Sequence, residues 1–192
     1  KLRSFSGEKY TSLLVLGIGG SDLGPRMAVK ALSSFSGSIR VSFVSNIDPS
    51  ELSSQILHLN PKKTLVIISS KTFTTLETIS NADATYEWMS ERIGEEAAKF
   101  QRLGVTANIN NAKNFGLKDK QIIGFSNWVG GRSSIWSGIG IPLAISIGQK
   151  HFEEFLAGGF SIDTHVKEDM SNSIPSLMAI IGYIHRNYIG SS

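Results

Sequence analysis

Short apolar runs of strand length recur along the chain and alternate with stretches whose apolar residues have helical spacing. The apolar runs are SLLVLGIGG (12–20), IRVSFVSN (39–46), KTLVIISS (63–70), RLGVTANI (102–109) and KQIIGFSN (120–127). Continuous apolar runs are typical of strands buried on both faces of a parallel sheet. Helical spacing covers residues 23–34, 48–59 and 75–94 between them. The alternation predicts an α/β fold with a doubly wound parallel sheet of about five strands, flanking helices and right-handed crossovers.

The pattern changes after Arg132, where helical spacing continues and no further strand is predicted. Gly and Pro punctuate three helical segments there, RSSIWSGIGIPLAISIG, HFEEFLAGGFSIDTHV and SIPSLMAIIGYIHRNYIG. We therefore expect a sheet core over about residues 12–130 and a helical C-terminal tail over about residues 132–190. A length of 192 residues suits one sizeable core and leaves little room for a second. The prediction is a single domain over residues 1–192.

Composition and charge argue against several classes of function. The formal net charge of +3 comes from 19 Lys and Arg against 16 Asp and Glu, scattered along the chain, so we predict no nucleic-acid binding. The absence of cysteine excludes disulfides and thiolate metal sites, which fits a reducing compartment. No apolar run approaches the roughly 20 residues of a membrane helix, and no signal-peptide pattern opens the chain. We expect a soluble, cytoplasmic protein that uses no metal.

Hydroxyl side chains cluster around Lys71 directly after the third predicted strand, in SSKTFTTLETISNA (69–82). Ligands of open α/β sheets bind outside the carboxyl ends of the strands. A loop of free N–H groups and hydroxyls that leads into a helix N-terminus suits an anion, and phosphate in particular. The alternative is that these Ser and Thr residues merely cap the next helix.

A glycine-rich loop, GIGGSDLG (17–24), follows the first predicted strand and presents the Ser21 hydroxyl at the same edge. The dinucleotide pattern G-x-G-x-x-G fails, because its third position is Asp22 and Gly24 comes two residues later. The P-loop pattern is absent as well, so we predict no nucleotide cofactor. Either ordinary strand-to-helix geometry or close approach of the backbone to a ligand explains the glycines at positions 17, 19 and 20.

A third segment, NWVGGRSSIWS (127–137), places a cation beside a pair of glycines at a strand end. The guanidinium of Arg132 can face negative charge that develops on a substrate oxygen, and it keeps its proton while doing so. The alternative is an ordinary surface Arg, although a cation is poorly placed against the dipole at a helix start.

Three blocks of this chain, GIGGSDLGP (17–25), SSKTFTTLETISNA (69–82) and WVGGRSSIWSGIG (128–140), resemble the glucose-6-phosphate isomerase family in order and separation. Members of that family contain two sugar isomerase (SIS) domains, and the likeness spans nearly the whole chain but only the first of these domains. It implies an SIS-type fold and interconversion of glucose 6-phosphate and fructose 6-phosphate through an enediolate, in glycolysis and gluconeogenesis. It also implies a homodimer that needs no cofactor.

The resemblance also implies which residues bind the substrate. In the first block, Gly20 and Ser21 would contact the sugar phosphate. The phosphate cradle would be formed by residues of the second block, namely Ser70, Lys71, Thr72 and Thr75, with Phe73 and Thr74 inside the same loop.

Three further residues match positions near the reacting carbons in the family. Gly131 and Arg132 match residues that flank the carbons where the enediolate forms, and Arg132 would stabilise charge rather than move protons. Glu77 falls at an active-site glutamate, although a carboxylate in the first turn of a helix is also favourable for the helix dipole alone. Asn127 stands where many members have Asp, and Ser133 where Tyr is common, which questions the subfamily more than the activity.

The family's proton-transferring glutamate, and the histidine and lysine that open the sugar ring, belong to the second SIS domain and the C-terminal segment. Residues 1–192 contain no segment that matches them. We therefore expect a substrate-binding part of the enzyme that is inactive alone. The alternative is a stand-alone SIS domain that binds a phosphosugar as a regulatory or scaffold module. The mass of the natural product distinguishes them, since the isomerase requires a chain of several hundred residues.

Overall fold

The computed structural model describes residues 3–167 and 172–190 and confirms the predicted α/β sheet. Its five parallel strands are β1 (Ser12–Leu16), β2 (Arg40–Val44), β3 (Thr64–Ser69), β4 (Arg102–Thr106) and β5 (Ile122–Gly124). Their order across the sheet is β2-β1-β3-β4-β5. The chain places β2 on one side of β1. It then crosses to the other side of β1 and adds β3, β4 and β5 in turn. The strand order therefore reverses between β1 and β3, which is where ligands bind in such sheets.

The helices of the sheet region are α1 (Gly20–Ala31), α2 (Pro49–Ile56), α3 (Leu76–Ile93), α4 (Glu95–Phe100) and α5 (Ile109–Asn114). The three longer ones lie where helical spacing predicted them, within about three residues at each end. Asp48 caps α2 by accepting the backbone N–H of Ser50 at 2.8 Å, and this bond lowers the pKa of its carboxyl. The short helices α4 and α5 were not predicted.

Both faces of the sheet are covered, as the unbroken apolar runs require. Along β1, Leu14 and Leu16 face one apolar cluster, which also contains Met89 of α3. Leu13 and Val15 face a second cluster on the opposite side, which contains Ile139. Successive strand residues point to opposite faces, so a strand buried on both sides shows no polar alternation.

Beyond the sheet, two 3₁₀ turns (Arg132–Trp136 and Gly138–Gly140) lead into α6 (Ile141–His165), which is interrupted at Gly148, where φ is +80°. A further helix, α7 (Ile174–Ile184), continues into a π-helical turn (His185–Ile189). The helical character of the tail is thus confirmed. Two compact units are distinguished within the chain, Lys1–Gln149 and Lys150–Ser192. No helix in the described part of the chain is long and apolar enough to span a membrane.

Candidate functional site

A cavity of ≈ 180 Å³ opens at the carboxyl edge of the sheet, between the ends of β1 and β3. Leu16 pairs with Ile68 in the parallel ladder, so the two strands end side by side and their following loops meet. A third loop, residues 127–137, approaches the same point. The cavity is lined by Ile18, Gly20, Ser21, Ser69, Ser70, Lys71, Thr75, Thr78, Phe125, Val129, Gly130, Gly131, Ser134 and Ile139. The structure therefore brings all three predicted segments to one site.

The polar groups of this cavity are suited to an anion. Six of its lining residues carry hydroxyls, and the seventh polar one is Lys71. Among the described residues, no Asp or Glu lines it. The Lys71 ammonium also reaches across to loop 127–137, where it lies 3.7 Å from the position that a Cβ on Gly130 would take. Hydroxyl donors and an ammonium without a carboxylate favour a ligand that brings its own negative charge.

Hydrogen bonds on the side away from the cavity hold loop 70–75 in place. The carbonyl of Lys71 accepts from the Thr106 hydroxyl at 3.0 Å and from the Ala107 N–H at 3.1 Å. The carbonyl of Thr72 accepts from the Asn111 side-chain amide at 2.8 Å. Within the described residues, the N–H groups of Lys71 and Thr72 have no hydrogen-bond partner. The carbonyls are thus satisfied by the protein while two donors stay available, as in an anion-binding nest.

Phe73 anchors the same loop in the apolar core. Its side chain is 3% exposed and its ring meets Phe115 edge to face, with centroids 5.6 Å apart. Within the described residues it alone, apart from glycines, has a positive φ, of 55°. Such a conformation is costly for a bulky residue, so surrounding contacts must enforce it. The role of Phe73 is therefore to fix the loop, and it does not line the cavity.

The Thr75 hydroxyl does not cap α3, although Thr75 occupies the N-cap position. It pairs instead with the Ser70 hydroxyl at 3.0 Å, and Ser70 Oγ also accepts the N–H of Phe73 at 3.1 Å. The first-turn N–H groups of α3, from Leu76 to Thr78, have no partner within the described part of the chain. The capping interpretation of the hydroxyl cluster thus fails for Thr75, and the open helix N-terminus faces the cavity with its favourable dipole.

The glycines of the first loop allow a tight turn and close packing of α1 on loop 127–137. Gly19 has a φ of +58°, which provides the turn from β1 into α1. A Cβ built on Gly20 would lie 2.5 Å from the carbonyl oxygen of Gly131, and one on Gly24 would lie 2.8 Å from that of Arg132. Glycine at positions 20 and 24 therefore lets α1 pack directly on the backbone of loop 127–137.

Two contacts of α1 were missed by sequence reasoning. The Ser134 hydroxyl donates to the carbonyl of Gly20 at 3.2 Å, which ties loop 127–137 to the glycine loop. Asp22 is buried, and both of its carboxylate oxygens accept from Nε of Arg26, at 2.9 and 3.0 Å. Burial raises the pKa of the Asp22 carboxyl, and the Arg26 guanidinium offsets part of this rise. The contact of Ser134 has no local sequence signal, whereas the i, i+4 spacing of Asp22 and Arg26 on α1 could have indicated their ion pair.

The structure does not bring every predicted residue into the cavity. Thr72 and Thr74 are exposed and pair with each other, hydroxyl to hydroxyl, at 2.8 Å. Glu77 is half-buried on α3, and Arg132 is exposed, while its neighbour Gly131 lines the cavity. Among the described residues, no group of three or more His, Asp or Glu is placed to hold a metal.

Thr78 is a lining residue that sequence reasoning did not select. It follows Thr75 by three positions on α3, and residues at this spacing share a helix face. That spacing is the signal that could have found it.

Comparison with known proteins gives a consistent result. The family model of phosphoglucose isomerase matches residues 2–192. This chain belongs to the phosphoglucose isomerase family. Glucose-6-phosphate isomerases of Brucella ovis and Brucella abortus are 40% identical to it over 190 residues, a stretch that covers 98% of this chain and 35% of each relative. The chain therefore spans about a third of the length of these relatives.

Solved structures agree with this membership of the phosphoglucose isomerase family. A glucose-6-phosphate isomerase from Chlamydia trachomatis superposes with a TM-score of 0.82 at 30% identity, covering 95% of this chain and 35% of that one. A hypothetical protein from Thermus thermophilus superposes with a TM-score of 0.79 at 27% identity, covering 92% of this chain and 42% of that one. The fold of this chain is thus that of the family.

Proposed function

We propose that this chain is the sugar-phosphate-binding part of a glucose-6-phosphate isomerase, and that its cavity receives the phosphate of glucose 6-phosphate or fructose 6-phosphate. The observation that carries the proposal is the set of free N–H groups, hydroxyls and Lys71 that converge on one cavity. Donors of this kind at a helix N-terminus favour a phosphate group. Membership of the phosphoglucose isomerase family supports a sugar phosphate as the bearer of that group.

In this proposal, the contacts to phosphate come from Gly20, Ser21, Ser70, Lys71 and Thr75, which line the cavity. The three remaining residues of the loop support these contacts without lining the cavity. Thr72 and Thr74 are exposed, and Phe73 is the buried anchor. All of residues 1–192 would form one SIS domain of a cytoplasmic enzyme.

The proposed chemical role of Arg132 is electrostatic. A guanidinium does not release its proton near neutral pH, so Arg132 would stabilise the enediolate and leave proton transfer to another group. Gly131, which lines the cavity, would bring the backbone close to the reacting carbons, and Glu77 would lie beside the sugar. The proton-abstracting base would come from residues outside this sequence, as the resemblance implies.

Calorimetric titration with fructose 6-phosphate tests the binding. Replacing Thr72 and Thr75 together with alanine removes one hydroxyl that lines the cavity, that of Thr75, so binding should weaken by about 1.5–3 kcal/mol for the lost bond to the charged phosphate. Ser80→Ala is the control, because it removes a hydroxyl from α3 at a position that does not line the cavity. Equal affinity in the double variant and the control would refute the phosphate cradle.

Residues 1–192 alone should bind the phosphate weakly and show no isomerase turnover. General-base catalysis needs a base within about 2.6–3.2 Å of the abstracted proton. The assay follows conversion of fructose 6-phosphate by highly purified chain, with Lys71→Ala as a control for contaminating host enzyme. Turnover that disappears in the Lys71 variant would mean that a base lies within residues 1–192, and Glu77 would then be the candidate.

A further inference from the structure

Thr78 carries a buried hydroxyl that the protein leaves without a partner. The residue is 2% exposed, and its Oγ1 makes no hydrogen bond within the described residues. Buried polar atoms in folded proteins almost always have a partner, so an exception requires an explanation. Of the four such atoms in the described part of the chain, Thr78 Oγ1 belongs to a residue that lines the cavity, while the other three are Ser90 Oγ, Arg102 Nε and Ser173 Oγ.

The usual internal solution is seen elsewhere on the same helix. Thr85 is 1% exposed, and its hydroxyl donates to the carbonyl of Asn81, four residues earlier, at 2.7 Å. This back-bond is the common arrangement for Thr within a helix. Thr78 makes no bond of this kind, and its own N–H in the first turn of α3 is also without a partner in the described residues. Two donors of one residue that lines the cavity are therefore without a partner in the described residues.

We propose that the Thr78 hydroxyl donates a hydrogen bond directly to a phosphate oxygen of the bound sugar phosphate, which makes Thr78 a further substrate-binding residue. This rests on the proposed function of the cavity. Thr75, three positions earlier, lines the same cavity, so the two hydroxyls lie on one face of α3. The buried hydroxyl gains a hydrogen-bond partner when the anion enters the cavity. In the unliganded protein this hydrogen bond is missing, which lowers the stability of the fold.

The test compares Thr78→Val, which keeps the shape and removes the hydroxyl, with Thr78→Ser, which restores it. Dissociation constants are measured for inorganic phosphate and for fructose 6-phosphate by NMR titration of residues 1–192, and urea unfolding is measured without ligand. Thr78→Val should weaken both ligands by about 10-fold or more, because a hydrogen bond to a charged group is lost. Its unfolding midpoint without ligand should be unchanged or higher, and Thr78→Ser should bind nearly as the unsubstituted chain does.

Thr85→Val is the matched control, since it removes a satisfied hydroxyl from the same helix outside the cavity. It should lower the unfolding midpoint and leave both dissociation constants unchanged. Thr78→Ala, measured in parallel, provides the same comparison should the valine variant fail to fold.

The outcomes separate this inference from the proposed function. If Thr78→Val binds inorganic phosphate as tightly as the unsubstituted chain, the Thr78 contact is overturned and the proposed function stands. If it loses affinity for fructose 6-phosphate alone, the contact is to the sugar, and the assignment to phosphate is overturned. An unsubstituted chain that binds neither ligand overturns the proposed function together with the contact.

Discussion

Loop 70–75 and loop 127–137 meet at the same cavity, yet they are built in opposite ways. Loop 70–75 is anchored by the buried ring of Phe73, and its carbonyls accept hydrogen bonds from Thr106 at the end of β4 and from residues that follow β4. In loop 127–137, the indole of Trp128 is 86% exposed and Arg132 is exposed. The buried side chains of this loop come later, at Ser134 and Ile135, and its contact with α1 is made by the backbone of Gly131 and Arg132.

This contrast agrees with the different roles of the two loops in the proposed function, in which loop 70–75 binds phosphate and Arg132 of loop 127–137 stabilises the enediolate. A preformed phosphate site needs little rearrangement when the ligand binds, so its donors contribute fully to affinity. A guanidinium that faces developing charge is useful when its surroundings exclude water. Exposure of Arg132 here fits the proposal that the reacting end of the site is completed by parts of the enzyme outside these residues.

The largest difference between the loops should appear when their aromatic residues are truncated. Phe73→Ala removes a core side chain that packs on Phe115, so it should lower the free energy of unfolding by about 3–5 kcal/mol. Trp128→Ala should change it by less than about 0.5 kcal/mol, because the side chain is 86% exposed. Urea unfolding of residues 1–192 measures both. Similar losses for the two variants would remove the distinction between an anchored and an open loop.

The next largest effect should come from separating α1 from loop 127–137. Gly20→Ala places a Cβ 2.5 Å from a backbone carbonyl that cannot rotate away, and should cost about 3 kcal/mol of unfolding free energy. Gly131→Ala meets no atom within 4 Å but must hold a φ of +67°, so it should cost about 1–2 kcal/mol.

Gly158→Ala is the control for this pair, since it lies in helical backbone with no atom within 4 Å of the added Cβ. It should raise stability by up to about 1 kcal/mol. If Gly20→Ala costs no more than Gly131→Ala, the close packing of α1 on loop 127–137 is not a constraint on position 20.

A smaller effect is expected for Arg132→Lys in a longer protein that contains this sequence and has isomerase activity. Lysine keeps the charge but loses the planar fork, so we expect kcat to fall by about 10-fold, or about 1.4 kcal/mol in activation free energy, with little change in KM. Steady-state kinetics with fructose 6-phosphate measure both constants. A higher KM at unchanged kcat would reassign Arg132 to substrate binding.

Sequence patterns predicted the fold well because the sheet is buried on both faces. The central strands β1 and β3 appear as unbroken runs of four apolar residues, and α1, α2 and α3 are long enough to show helical spacing. Helices α4 and α5 have 6 residues each, which is less than two turns and too short for a period to be recognised.

The candidate site was predictable where composition marks it, and not where distant contacts create it. Hydroxyls after β3 and glycines after β1 indicated an anion site from local sequence alone. The role of Phe73 depends on a positive φ and on Phe115 beyond β4. Likewise, Asn111 supports Thr72 from 39 residues away in sequence. Such contacts depend on the strand order, which local spacing does not encode.

The smallest effect should follow loss of the hydrogen bond from Asn111 to the carbonyl of Thr72. Asn111→Ala removes the amide that donates to the carbonyl of Thr72 at 2.8 Å, while the bonds to Lys71 from Thr106 and Ala107 remain. We expect a loss of about 0.5–1.5 kcal/mol in unfolding free energy. Since a looser loop must be ordered when phosphate binds, the dissociation constant for phosphate should rise several-fold.

Asn114→Ala, also on α5 but exposed, is the control and should leave both quantities unchanged. NMR titration with inorganic phosphate and urea unfolding provide the two measurements on the same samples. A stability loss in Asn111→Ala without any loss of affinity would mean that the N–H donors of loop 70–75 keep their positions without this bond. The preformed character of the loop would then rest on the buried side chain of Phe73 and on the bonds from Thr106 and Ala107 to the Lys71 carbonyl.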